Sequence, residues 1–200
     1  SERRRVPQHN SSPAILPKRA ILEGGLSITS IRELVMSISV TLNDYLMRKA
    51  GNYELIRHSF SEHMLEAAYA SHLPVREVVK AVVLTDGQGY MLAAIPSTNK
   101  VMLSRISQIL GRRVQLAHEE ELATLFEDCS EGAIPPLGDA FGMDMIWDDS
   151  LADDADIYFE AGDHRHLVHL TGGQFMGLVK NHPHGRISCA ADDLADMILH

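Results

Sequence analysis

The sequence predicts a mixed α/β domain in which a sheet with antiparallel pairing is covered by helices. Two β-rich runs, 75–84 and 90–95, are joined by Asp86-Gly87-Gln88-Gly89, which is strong hairpin chemistry. Amphipathic helical runs lie on both sides of that hairpin, and strands and helices mix in an order that fits no regular βαβ winding. Two hundred residues give room for one domain of ordinary size, large enough to hold a core without disulfide or metal.

Residues 1–26 mix Pro, Ser, Asn and Gly with charges and read as a linker or tail. The domain proper is read as 27–185. Ser30 and Glu33 have capping-box spacing, and apolar residues recur at helical intervals from Ile31 to Leu46, predicting one helix stopped by Gly51. A short strand follows at 53–58, then a helix over 61–72 that Pro74 ends. After the hairpin come a helix at 102–110 closed by Gly111, a strand at 114–117 and a helix at 119–126. Beyond a Gly/Pro loop at 132–138 lie strands near 143–147, 157–160 and 167–170, and a helical turn at 174–179. The extension 186–200 carries a short amphipathic pattern at 190–199.

With 45% hydrophobic and 22% charged residues, the composition excludes disorder throughout. No apolar run approaches the ~20 residues of a membrane span. The Arg-rich start carries no signal-peptide pattern, and Cys129 and Cys189 stand in no metal spacing, so a cytoplasmic location is expected. The net charge of −9 is unevenly placed: residues 114–164 hold fifteen Asp and Glu and no Lys or Arg, leaving twelve acids against eighteen bases elsewhere. A polyanion must therefore approach the other part of the molecule, near Lys100, Arg105, Arg112 and Arg113. There is no long basic stripe, so contact with the end of a nucleic acid is expected rather than tracking along a duplex.

Two features carry candidate chemistry. Strand alternation puts Lys80 on one face with Val78, Val82 and Leu84, while Val79, Ala81 and Val83 face the other way. Such a lysine either snorkels to water from an edge strand or stands at a pocket floor, where a low dielectric lets it hold an oxyanion; periodicity leaves both open. In Gly132-Ala133-Ile134-Pro135-Pro136 the glycine permits close approach and the prolines stiffen the chain, so the first three amides are candidates for a donor nest. The same loop also reads as a plain rigid connection.

The ordered set Tyr53-Glu54-Leu55-Ile56-Arg57-His58, Val79-Lys80-Ala81-Val82-Val83-Leu84, Leu110-Gly111-Arg112-Arg113, Gly132 to Gly138, Trp147-Asp148-Asp149-Ser150-Leu151 and Tyr158-Phe159-Glu160-Ala161-Gly162-Asp163-His164 resembles the YbaK/prolyl-tRNA synthetase-associated domain family over about 140 residues. That family hydrolyses mischarged aminoacyl-tRNA. The resemblance implies a curved mixed sheet with a pocket around the strand lysine, Lys80 as the functional lysine, and Asp148 as the acid opening the Asp-x-x-Leu element. It implies substrate contacts from His58, Gly132, Ala133, Ile134, Pro135, Gly162 and His164, and the tRNA acceptor end as partner, with no cofactor, metal or membrane. Many members carry Ser where Ile134 stands, and some have Asn where Ala81 stands, so the known amino-acid specificities do not transfer.

His164, His166, His169, His182 and His184 lack a closed metal set, and the Asp-rich run at 148–156 lacks the order of a calcium loop. No Gly-x-Ser-x-Gly motif is present and neither Cys has a base beside it, so direct attack of water on an ester is expected rather than a covalent intermediate. The expected function is removal of a wrong amino acid from tRNA in trans. The alternative is a non-catalytic ligand- or tRNA-binding module of a larger signalling protein.

Overall fold

The computed structural model describes residues 15–17, 38–61, 66, 68 and 71–190. Its sheet has nine strands, with β1 (Ile15–Pro17), β2 (Glu54–Arg57), β3 (Val78–Thr85), β4 (Tyr90–Pro96), β6 (Gln115–Leu116), β7 (Asp144–Asp148), β8 (Asp156–Glu160), β9 (His166–Thr171) and β10 (His184–Gly185). The order is β1-β2-β9-β8-β3-β4-β7-β10, with β6 added beside β3. Pairing is antiparallel except at β3–β8, β4–β7 and β7–β10. A separate ribbon pairs β5 (Asn99–Val101) with β11 (Ser188–Ala190).

Four helices accompany the sheet among the described residues: α1 (Val40–Lys49), α2 (Leu103–Leu110), α3 (Glu119–Leu125) and α4 (Gly172–Val179). The expected mixed α/β fold with its central antiparallel hairpin is present, and Val79↔Pro96 to Thr85↔Tyr90 pair along β3 from its second residue to its last. Among the described residues, no helix is long and apolar enough to cross a membrane.

The two faces of the sheet carry two cores. Val79, Val83, Leu92, Phe159 and Val168 pack against Leu42 and Leu46 of α1 and Phe175 of α4. On the other face Leu84, Met91, Ala93 and Ile95 pack against Ile106 of α2 and Ile187. Each such fully buried Leu, Ile or Phe contributes about 1.5–3 kcal/mol of transfer free energy, so the three helices are held mainly by these faces.

Three boundaries differ from the sequence reading. The helix over 31–46 does not run continuously, because Ser39 lies outside α1 as its N-cap: its hydroxyl accepts from the Leu42 N–H at 3.0 Å, and its own N–H donates to the Ala161 carbonyl at 2.9 Å. Ser30 and Glu33 fall outside the described residues. Residues 15–17, inside the expected tail, form an edge strand on β2. Residues 188–190, inside the expected C-terminal extension, form β11 and pair with β5. Glu66 and Ala68 are helical as expected for 61–72; the rest of that helix lies outside the described residues, as does 191–199.

Candidate functional site

The site begins at a notch in the sheet. On one edge of β3, Val78 and Val79 pair with β8 while Leu84 and Thr85 pair with β6, and no strand pairs with residues 80–82 on that edge among the described residues. Lys80 stands at this notch. Its neighbours Val79 and Ala81 pack into the main core, so alternation turns Lys80 the other way, as the sequence pattern requires. Glu160 is flanked in the same manner by Phe159 and Ala161. Continuing the Val79↔Phe159 register by one residue sets Lys80 level with Glu160, in a row that runs through Leu167 to Ile56 on one side and to Ile95 on the other.

Lys80 is half-buried and its Nζ donates to the Ser97 carbonyl at 2.9 Å. Burial, with the charge of Lys100 added, holds its ammonium below the usual lysine range. Among the described residues no carboxylate pairs with it. It is thus a positioned cation with its charge unspent.

The turn after β8 brings up the remaining groups. Glu160 is 3% exposed; its Oε1 accepts the His164 N–H at 3.0 Å and its Oε2 lies 4.0 Å from His164 Nδ1. Burial pushes this carboxyl up to about 7, with Asp163 adding to the rise. His164 has a left-handed backbone, φ 57°, which is uncommon outside glycine. Its Nε2 donates to the Glu131 carbonyl at 2.7 Å, and its ring faces the α-carbon of Gly132. The loop and the histidine predicted from sequence are therefore in contact.

Gly132 is required by conformation, φ +79°, because a side chain there would meet His164 only at ordinary contact distance. The expected three-donor nest is reduced to two: the Ala133 N–H donates to the Ser130 carbonyl at 2.9 Å, while Gly132 and Ile134 have no such partner among the described residues. Ala133, Ile134 and Pro135 are buried. Gly162, φ +105°, is explained by packing: a Cβ would lie 2.9 Å from Ser39 Cβ, so the glycine lets the turn close on the cap of α1.

His58 is 8% exposed and lies in the same cluster, its imidazole feeling the charges of Asp163, His166 and His164. Its Nδ1 donates to the Ser59 carbonyl at 2.6 Å, leaving a buried Nε2 with no partner among the described residues. Burial lowers its affinity for a proton.

Asp148, which the resemblance implies to be catalytic, is buried in a set of hydrogen bonds. It is 2% exposed, and four donors take up its oxygens: Ser150 N–H at 3.0 Å and Ser150 Oγ at 2.6 Å on Oδ1, Ile187 N–H at 3.0 Å and Ser188 Oγ at 2.7 Å on Oδ2. This carboxylate braces β7 to the chain at Ile187 and Ser188. Among the expected RNA contacts, Lys100, Arg105 and Arg113 are exposed, and Lys100 lies close enough to act on Lys80. Arg112 is committed elsewhere, 3.0 Å from Asp86 and 3.8 Å from Asp144.

Three further histidines of the candidate metal set are met by carboxylates: His169 by Glu54 and Asp156, His182 by Asp139, His184 by Asp149. Burial and Asp128 push the Cys129 thiol up to about 12, so it is no thiolate at neutral pH.

Two features went unread in the sequence. Glu160 is a carboxyl at an alternating position of the apolar run Ile157 to Ala161, a signal that was available. The second is Asp163, whose Oδ2 accepts from His166 Nδ1 at 2.6 Å. Burial works to raise the Asp163 carboxyl, but hydrogen bonds from His166 and the backbone outweigh it and hold it below the usual range.

Residues 61–178 match the family model of the aminoacyl-tRNA editing domain. No curated protein matches the chain at a significant level. Among solved structures, the fold is similar to the hypothetical protein APE2540, at 18% identity and TM-score 0.67, covering 74% of this chain and 99% of that one. It is similar to a proposed trans-editing enzyme for prolyl tRNA synthetase, at 19% identity and TM-score 0.66, covering 83% of this chain and 100% of that one. It is also similar to a proposed signal transduction protein from Marinobacter aquaeolei VT8, at 16% identity and TM-score 0.64, covering 78% of this chain and 32% of that one.

Proposed function

Because the chain belongs to the aminoacyl-tRNA editing domain family, we propose that it is a YbaK-like deacylase that removes a wrongly attached amino acid from the acceptor end of tRNA, acting in trans in the cytoplasm. The observation that carries this reading is Lys80: a half-buried cation with no carboxylate partner among the described residues, at a break in the sheet level with the strand that leads to His164. The chemistry needs little more. A water attacks the ester carbonyl, positioned by a substrate hydroxyl, and a new C–O bond forms while charge gathers on the carbonyl oxygen. Lys80 and the Gly132 and Ile134 amides hold that oxyanion. The ester C–O bond then breaks, the water's proton passes to the departing ribose oxygen, and free amino acid leaves. One well-aimed oxyanion donor contributes roughly 3–4 kcal/mol to such a barrier, enough to matter for an ester that is labile already.

The test is a panel of charged tRNAs incubated with the purified domain, counting released amino acid. At least one mischarged tRNA is expected to lose its amino acid with wild-type protein. Lys80→Ala is expected to lose the activity while melting normally, since no buried counter-charge is left behind. Release at the wild-type rate by that variant would overturn the assignment. The rival reading, a non-catalytic module, draws support from the signal transduction protein of Marinobacter aquaeolei VT8, in which this fold occupies about a third of the chain. It predicts binding of aminoacyl-tRNA with no release by wild type.

A further inference from the structure

We propose that Phe60 is a stacking platform for an unpaired nucleobase at the mouth of the site, and that the base it takes is the terminal one of the RNA acceptor strand; this rests on the editing reading above. Single apolar side chains at a surface are ordinary, but this one differs from the rest. Phe60 is 53% exposed and is the one aromatic residue among the exposed large hydrophobics of the described residues, the others being Val40, Met47, Ile109 and Leu116.

It is also held in place. The backbone on either side is pinned to the turn after β8, the His58 N–H donating to the Arg165 carbonyl at 2.9 Å and the Ser61 N–H to the His164 carbonyl at 3.2 Å. The ring meets the His164 ring edge-on, centroids 5.6 Å apart at 68°, and the Arg165 guanidinium carbon stands 5.4 Å from its centroid.

Three arguments converge on a base. Every nucleobase offers a π-face, and proteins that grip single strands stack such faces on exposed aromatic rings and guanidinium planes, the two groups present here. The ester carbonyl and the terminal base are joined through one ribose, so a base platform must lie within one nucleotide of the ester site. Phe60 touches His164, whose ring faces Gly132. Finally, Arg165 is the first Lys or Arg after the acidic stretch 114–164, and Arg57 stands opposite its neighbour His166, so this corner offers cations to the adjoining phosphate.

The test reads binding, so that it stands apart from whether the protein hydrolyses anything. Phe60→Trp adds an exposed indole to a chain whose sole tryptophan, Trp147, is buried, and the wild-type signal supplies the background. Titration with the RNA tetranucleotide ACCA is expected to quench the added fluorescence, and ribose 5-phosphate, which has sugar and phosphate but no base, is expected not to. In calorimetry with the same tetranucleotide, Phe60→Ala is expected to weaken binding by about tenfold while Phe60→Trp keeps it. The proposal is overturned if ACCA leaves the indole unquenched, if ribose 5-phosphate quenches equally, if Phe60→Ala binds as wild type does, or if ACCA binds none of the three proteins. Stacking without release in the tRNA panel would sink the deacylase reading alone.

Discussion

Glu160 shows how much one buried carboxyl can reveal. Its pKa is raised from an ordinary 4.5 to about 7 by burial, so between those values the folded protein keeps a proton that the unfolded chain has released. Stability from this group is therefore full below about pH 4.5, falls as pH rises towards 7, and is level above it, a loss on the order of a few kcal/mol. Glu160→Gln keeps an oxygen to accept the His164 N–H at 3.0 Å and cannot ionise. The variant is expected to match wild type near pH 4 and to melt higher at pH 8; urea melts at both values check this, and equal stability at pH 8 would mean the carboxyl is not strained.

Individual residues were unevenly legible from sequence. Lys80 was readable because a strand has period two, and a single charged residue among Val79, Ala81 and Val83 declares its face. Asp148 was not, because its partners Ile187 and Ser188 lie about forty residues away and no local pattern encodes them. Asp148→Ala is accordingly expected to cost stability, several kcal/mol if its four donors are left without partners in the interior, and to lower the melting temperature with or without substrate. A variant that melts like wild type yet loses deacylation would support the catalytic role.

At the level of elements, the hairpin, α2 with its left-handed Gly111 cap, and the last three long strands were all readable, since each has a periodic face or a turn residue with a definite φ. What escaped were pieces of two or three residues, β1, β5, β10 and β11, too short to show any period and formed only because a partner strand is waiting. The loop at 132–137 was legible in residue type but not in hydrogen bonding, and the Ala133 amide was lost to Ser130 for that reason. A prediction belongs to this loop. Gly132→Val must place a branched side chain at φ +79°, which costs on the order of 1–3 kcal/mol in backbone strain. The strain falls on an exposed position where an added Cβ meets the His164 ring only at ordinary contact distance, so the fold is expected to survive while the Gly132 and Ile134 amides are re-aimed. The measurement is kcat against KM on a charged tRNA: a fall in kcat with KM held supports oxyanion donors, and unchanged kinetics would return the loop to a mere connector.

For the whole molecule, the argument is about charge. Fifteen acids without a base between residues 114 and 164 repel phosphates from that part of the chain, and the structure removes Arg112 from the opposing set by placing it against Asp86 and Asp144. Lys100 acts on Lys80, so reversing it would disturb the site as well as the RNA. Arg105 and Arg113 remain: both are exposed and neither has a carboxylate partner among the described residues. With only the end of the strand entering, we expect contact with ~2 to 4 phosphates, hence a slope of log affinity against log salt of roughly 1.4 to 2.8 in magnitude. Each phosphate lost from a single strand removes about 0.7 from it. The double reversal Arg105→Glu with Arg113→Glu is therefore expected to weaken tRNA binding and to lower the slope by about 1.4, both read from salt titrations of the two proteins side by side. If the slope is the same in both, these arginines face solvent in the complex and the acceptor strand approaches over a different face of the sheet.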